Sequence, residues 1–144
     1  MTSTFDPESY LDATLEAPTE KRPPLSAGSY SATLGEPKAR TWQSRDGTKS
    51  GTAIDVPVEV THEGEKYVVR DSIMLDVKDD GSIDNTPGAN RRLRMYREAT
   101  GLNQPGQAFS FRMLTGRQVK VSVTHEASKD GTEMYERVGL VGKA

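Results

Sequence analysis

The chain contains no cysteine. Disulfide frameworks, thiolate metal sites and cysteine nucleophiles are thereby excluded, while a cytosolic or virion setting is allowed. Long apolar runs are missing as well: none approaches the ~18–20 residues that a membrane-spanning helix needs. The first residues, Met1-Thr2-Ser3-Thr4-Phe5-Asp6-Pro7-Glu8, are acidic and carry no apolar stretch, so no signal peptide is expected. Histidine is scarce. His62 and His125 fall near the ends of expected strands and have no metal-ligand spacing to each other or to nearby carboxylates. No phosphate-loop pattern and no G-x-S-x-G elbow occurs, and no internal repeat or low-complexity tract stands out. These absences lead us to expect a soluble, mostly single-domain protein with no metal, no cofactor and no catalytic constellation.

What is present is modest in apolar content. Replacing the five Tyr by the 13 Gly changes the hydrophobic fraction from 33% to roughly 39%, against a typical ~45–50% on that definition. Part of the chain is therefore expected to lie outside the core. Charge is nearly balanced overall, 19 Lys+Arg against 21 Asp+Glu, yet unevenly spread. Residues 1–24 hold Asp6, Glu8, Asp12, Glu16 and Glu20 against Lys21 and Arg22, a net of −3. Residues 91–120 hold seven cations against Glu98, a net of +6. The local field at a binding face, rather than the overall balance, decides whether a polyanion is a plausible partner.

Pattern along the chain divides it into an arm, residues 1–24, and a domain, residues 25–144. Tyr10, Leu11, Thr14 and Leu15 suggest a short amphipathic helix from Pro7 to about Leu15, and Pro18, Pro23 and Pro24 make residues 17–25 an extended linker. From Tyr30 the period becomes two, which predicts a first strand; the alternation resumes after Gly35-Glu36-Pro37 with Lys38, Arg40 and Trp42 on one face. A second strand is predicted over Thr52–Thr61, open or bulged at Pro57, and a third over Tyr67–Val77. Leu93, Tyr96 and Thr100 predict a helix over 88–100, with Asn90 as N-cap and Gly101 as C-cap. Fourth and fifth strands follow at Gln118–Thr124 and Met134–Val141, joined by the hairpin signal Asp130-Gly131. Five strands with a helix between the third and fourth is the order of an OB-like β-barrel, although other small barrels share it.

Among motifs, Asp76-Val77-Lys78-Asp79-Asp80-Gly81 has the outline of a calcium loop, but Lys78 occupies the third position and Pro87 stands where the bidentate Glu belongs; a solvated acidic turn is expected. Asp55 and Glu59 read as ordinary outward strand carboxylates. Lys38-x-Arg40-x-Trp42 puts two cations and the single Trp on one strand face before a loop carrying Arg45 and Lys49. Single-stranded nucleic acid is bound by aromatic platforms and by cations that follow the phosphates; a core Trp with a solvated cationic face is the equal alternative. Arg91-Arg92-x-Arg94-x-x-Arg97 cannot all share one side of a short helix, so at least two are expected to be simple solvated surface. Tyr135 with Arg137 is a weaker pair of the same kind.

The chain also resembles the phage-encoded single-stranded DNA-binding proteins, small OB-fold proteins found among phage replication and recombination genes. The resemblance runs from about Leu25 to Val141. It rests on Gly28-x-Tyr30-x-Ala32, Thr41-Trp42 with the polar loop, Ile54-x-Val56-x-Val58, and Leu93 to Gly101-Leu102. Leu114-Thr115-Gly116-Arg117, Val119-x-Val121-x-Val123 and Tyr135-x-x-Val138 complete it. It implies sequence-independent binding of single-stranded DNA in a groove across the second and third strands and the first connecting loop, with Lys38, Arg40, Trp42, Arg45 and Lys49 as the matching residues. Arg91 and Arg94 would extend the track. Many such proteins carry an acidic tail at the C-terminus, whereas here the acidic piece, residues 5–20, is N-terminal; it is either a disordered leader or an arm that mimics DNA or recruits replication or recombination proteins. The setting implied is the cytoplasm of an infected host cell, and self-association is left open. A different reading of the same features is a virion structural protein, a β-barrel decorating a capsid or tail and docking through its arm. A small host-factor inhibitor is a third.

Overall fold

A computed structural model describes residues 6–144. Among these residues there are six antiparallel strands in one sheet and one α-helix. The strands are β1 (Gly28–Leu34), β2 (Lys38–Gln43), β3 (Ser50–His62), β4 (Glu65–Met74), β5 (Gln118–Ala127) and β6 (Met134–Lys143); the helix, α1, spans Arg91–Thr100. Five strands are expected from the sequence, and the sixth is β2. Its residues are exposed except for the half-buried Trp42, so no apolar alternation sets it apart.

The long strand β3 organises the sheet. Along one edge it pairs with the whole length of β4, Ala53 to His62 against Met74 to Glu65. Along the other edge it pairs first with β1 (Leu34 opposite Val58) and then with β2 (Lys38 opposite Asp55). Three residues, 35–37, thus face two on β3, a bulge that lets β1 and β2 run as one bent ribbon. Pro57, which has no N–H to give to a ladder, falls in this gap and accepts the Gly35 N–H at 2.7 Å. A side chain at Gly35 would bring a Cβ 3.1 Å from the Pro57 ring, a tight contact that glycine avoids.

On the far side, β1 pairs with β5 and β5 with β6. No hydrogen-bonded pairing joins β6 to β4 among the described residues, so the sheet is not closed. Side chains span the resulting seam instead. Arg92 of α1 donates to Asp71 of β4 at 2.8 Å and to the carbonyls of Val138 and Gly139 in β6 at 3.0 and 3.3 Å. In a regular strand successive carbonyls point to opposite edges; the bulge between Val121 and Val123 and their β6 partners turns two neighbouring carbonyls to one guanidinium. The buried Tyr96 hydroxyl donates to the same Asp71 oxygen at 2.6 Å. Burial pushes that hydroxyl up from its ordinary pKa, and the Asp71 carboxylate adds to the effect.

The opposite end of the seam is strapped by residues 21–25. Arg22 donates to the Lys66 carbonyl and stacks 3.8 Å from the Tyr67 ring centre on the β4 side. Leu25 donates its N–H to Glu136 of β6 at 3.0 Å, and its carbonyl lies 2.7 Å from Nε2 of His125, the cross-strand partner of Glu136. Leu25 itself is in the core. The core between sheet and helix is built from Val56, Val58, Val60, Val69, Ile73, Val119, Val121 and Val123, capped by Leu93, Tyr96 and Leu114.

Other expectations need adjustment. Residues 7–15 do not form an amphipathic helix; Pro7–Leu11 make one 3-10 turn with Asp6 accepting the Glu8 N–H, and Leu11 and Leu15 are exposed. Residue 5 of the expected partner segment lies outside the described residues. Strand β4 ends at Met74 rather than Val77, because Val77 instead bridges Ile83 across the acidic loop. Asn90 occupies the N-cap position but does not cap. Its amide bonds Asp76 and the Asp84 carbonyl, fastening that loop to the start of α1. Gly101 does close the helix, at φ 75°.

Candidate nucleic-acid interface

In antiparallel pairs, residues directly opposite one another point to the same side of the sheet. The registers therefore put Lys38, Arg40 and Trp42 of β2 on one outward face with Asp55, Pro57 and Glu59 of β3 and with Lys66, Val68, Arg70, Ser72 and Met74 of β4. Val56, Val58 and Val60 point the other way, into the core. Lys38, Arg40 and Trp42 are thus brought together as the alternation predicts. Arg70 is a cation on this face that sequence reasoning missed; only the register, which sets it opposite Pro57, reveals it.

The cations on the face differ in their commitments. Arg40 is paired with Asp55 at 2.8 Å and reaches Ser72, and Lys66 is paired with Glu59 at 2.9 Å. Partial burial pushes the Asp55 carboxyl up, but hydrogen bonds from Ser72 and Arg40 and the charges of Arg40 and Arg70 outweigh it and hold the group below the ordinary carboxylate range. Lys38 and Arg70 have no ion-pair or side-chain hydrogen-bond partner among the described residues.

Trp42 lies over Gly51, its cross-strand partner. A Cβ on Gly51 would sit 2.8 Å from the indole Nε1, so the glycine is the bed on which the ring rests. The ring is half-buried, and its Nε1–H is buried with no hydrogen-bond partner among the described residues. Trp42 is therefore half-buried on the outer face of the sheet and not a core residue.

Arg45 and Lys49 sit in the β2–β3 turn, at the Met74 end of the β4 face. Asp46 locks this turn by accepting from the Ser44 hydroxyl, the Thr48 N–H and the Thr48 hydroxyl at 2.6–3.0 Å. The Ser44 hydroxyl, followed by Thr48, holds the exposed Asp46 carboxyl down to about 2. Arg45 and Lys49 spend their side chains on none of this, and both are exposed.

The β5–β6 turn, at the opposite end of β4, repeats the construction. Ser128-Lys129-Asp130-Gly131-Thr132-Glu133 matches Ser44-Arg45-Asp46-Gly47-Thr48-Lys49, with Asp130 accepting from Ser128 and Thr132 at 2.6–3.1 Å. In both, the first N–H meets the sixth carbonyl at 2.8 Å and the glycine takes a positive φ, 72° and 73°. The chain thus does contain a short internal recurrence. Its signal, S-[RK]-D-G-T, was readable, but six residues set in unlike flanks do not register as a repeat. With the two turns at its ends, the outer face of β4 spans about 30 Å, ten residues at strand rise.

Arg91 and Arg94 do not join this face. They project from α1 beside Val141, Gly142 and Lys143 of β6, while β2 lies at the other end of the strand order. Arg92 is committed to the seam. Of the remaining groups, Arg137 is paired with Glu126 at 3.0 Å and Tyr135 is partly exposed. In the acidic loop, Asp80 and Asp84 each accept from a hydroxyl and an N–H two residues on, as carboxylates in solvated turns do.

No protein-family model matches this chain, and no curated protein matches it.

Proposed function

We propose that this protein binds single-stranded DNA without sequence preference and without catalysis, on the outer face of β2, β3 and β4. The observation that carries the reading is the shared face of Lys38, Arg40, Trp42 and Arg70, ended by a rigid turn that presents Arg45 and Lys49. Cations spaced along a strand face suit phosphates, and a half-buried ring beside them suits a stacked base. Further support comes from topology. If β1 and β2 are counted as one bent strand, the pairings present are compatible with an OB-like barrel left open between β4 and β6, in which the β2–β3 and β5–β6 turns would be the two loops that flank the binding face. In this reading α1 and the strap complete the barrel where hydrogen bonds do not. The protein acts among replication or recombination proteins in the cytoplasm of an infected host cell, with the acidic residues up to Glu20 as the segment that recruits them.

The test is anisotropy of a labelled oligo-dT titrated with the full chain at several salt concentrations. If Lys38, Arg45, Lys49 and Arg70 each neutralise one phosphate, log affinity falls against log salt with a slope of about −3. Duplex of the same length binds more weakly. Equal affinity for duplex, or no binding of either, removes the reading.

One observation favours a second reading, a virion decoration protein. Tyr10, Leu11 and Leu15 of the arm are exposed at 63%, 82% and 81%, apolar side chains suited to docking on a particle. A decoration protein ignores oligonucleotides and sediments with purified particles.

A further inference from the structure

We propose a second phosphate-binding site, separate from the β2–β4 face, in the cavity beside the first half of α1. The cavity has a volume of about 130 Å³ and is walled by Arg91, Arg94 and Arg97, with Asn85 and Asn103 also in its lining. The three arginines recur every third residue and so form one stripe along the helix.

Their surroundings leave this charge unanswered. Arg92, on another side of the helix, is matched by the buried Asp71. Arg91 has no ion-pair or hydrogen-bond partner among the described residues, and Arg94 has only Glu98, at 3.5 Å with both side chains more than half exposed. Arg97 is positioned rather than neutralised: its Nε donates to the Leu102 carbonyl at 3.0 Å, and its guanidinium sits 4.7 Å from the centre of the Phe109 ring. Its terminal guanidinium nitrogens have no hydrogen-bond or ion-pair partner among the described residues. The first turn of α1 has no acidic residue. Like charges along a helix stripe repel, the more so near the positive end of the helix dipole. A bound anion relieves that repulsion, and guanidinium forks match the oxygens of a phosphate group in charge and in geometry.

The ligand is therefore a phosphate group, either free, at the end of a DNA strand, or within its backbone. The site does not depend on DNA binding by the β2–β4 face. The test uses amide NMR shifts of the full chain at constant ionic strength, with inorganic phosphate as the first probe and acetate as control. The expected result is a saturable shift at Arg91–Arg97 that phosphate causes and acetate does not. R91Q/R94Q should weaken it at least about tenfold, R91Q alone should weaken it less, and K38Q/K49Q should leave it unchanged. Absence of a saturable shift, an equal response to acetate, or an undiminished response in R91Q/R94Q overturns the proposal. Oligo-dT with a 5′-phosphate and with a 5′-hydroxyl then separates the sources. Tighter binding of the phosphorylated strand, lost in R91Q/R94Q, assigns a strand end. Equal loss for both strands assigns backbone phosphates. Response to inorganic phosphate alone assigns the free anion. Loss of oligonucleotide binding in K38Q/K49Q with the phosphate response intact separates the two sites.

Discussion

The outer β2–β4 face and the β4–β6 seam are both rich in cations, yet the seam ties all of its cations to partners and the face only some. At the seam every cation has a fixed partner: Arg92 holds Asp71 and two β6 carbonyls, and Arg22 holds Glu65, the Lys66 carbonyl and the Tyr67 ring. On the outer face Arg40 and Lys66 are paired with Asp55 and Glu59, but Lys38 and Arg70 have no ion-pair or side-chain hydrogen-bond partner among the described residues, and Arg45 and Lys49 stand clear of the turn that carries them. A cation whose hydrogen bonds are spent inside the molecule is part of the fold, and one whose charge is not spent is available to a ligand. The two six-residue turns show the same contrast in miniature. Their backbones and Asp locks agree, but the last residue is the unpaired Lys49 in one and Glu133, 3.9 Å from Lys21 of the strap, in the other.

The largest effect should come from the seam. Arg92→Met removes the ion-pair partner of the buried Asp71 carboxylate and leaves it the Tyr96 hydroxyl alone, a change that costs up to about 3–5 kcal/mol. Urea unfolding should show that loss, while the DNA affinity of the folded fraction remains that of the parent. Equal losses in stability and in affinity would erase the distinction between the two regions.

Next comes the face. Trp42→Ala should lower affinity for oligo-dT by about 1–3 kcal/mol if one base stacks there, with the salt slope unchanged. Gly51→Ala is a sharper variant. It removes no charge and no ring, yet puts a Cβ 2.8 Å from the indole Nε1 and so displaces the ring. Affinity should fall and the fluorescence maximum should move together.

Exchanging the turn ends gives smaller effects of opposite sign. Lys49→Glu should weaken oligo-dT binding and reduce the salt slope by about 0.7 or more. Glu133→Lys should strengthen binding at low salt, and losing its exposed contact with Lys21 should cost at most about 1 kcal/mol. Anisotropy titrations at two salt concentrations measure both.

The smallest effect concerns the feature the turns share. The Asp46 and Asp130 carboxyls are held down to about 2 by their serine and threonine neighbours, against an ordinary 3.8. A folded-state value below the unfolded one stabilises the fold above pH 3.8, and that contribution is lost as pH falls toward 2. The Thr48 and Thr132 amide signals should therefore be steady at pH 4 and above, and should move together below pH 3.

The sequence displays some of this and hides the rest for physical reasons. Val56, Val58 and Val60 alternate with Asp55, Pro57 and Glu59, so the course of β3 and its buried face are legible. So is α1, between its apolar stripe and Gly101. Strand β2 is hidden as a separate element because exposure on both faces leaves it no hydrophobic period. Among the four helix arginines nothing local marks Arg92, since its partner Asp71 lies 21 residues away on β4 and meets it only through packing. Arg70 is hidden for a related reason: which cation joins which face is a matter of register, and Pro57 opposite Arg70 is a tertiary fact. The strap reads in sequence only as a Pro-rich linker, because the grip of Glu136 and His125 on the Leu25 backbone joins groups 111 and 100 residues apart and leaves no trace in local pattern.

The most direct test of the central claim uses Trp42, the single tryptophan of the chain. Its fluorescence is titrated with poly-dT and with duplex of equal length at low and high salt, alongside a gel shift. The account predicts strong quenching by the single strand, less by duplex, and less of both at high salt. An unchanged signal together with a silent gel shift would contradict it.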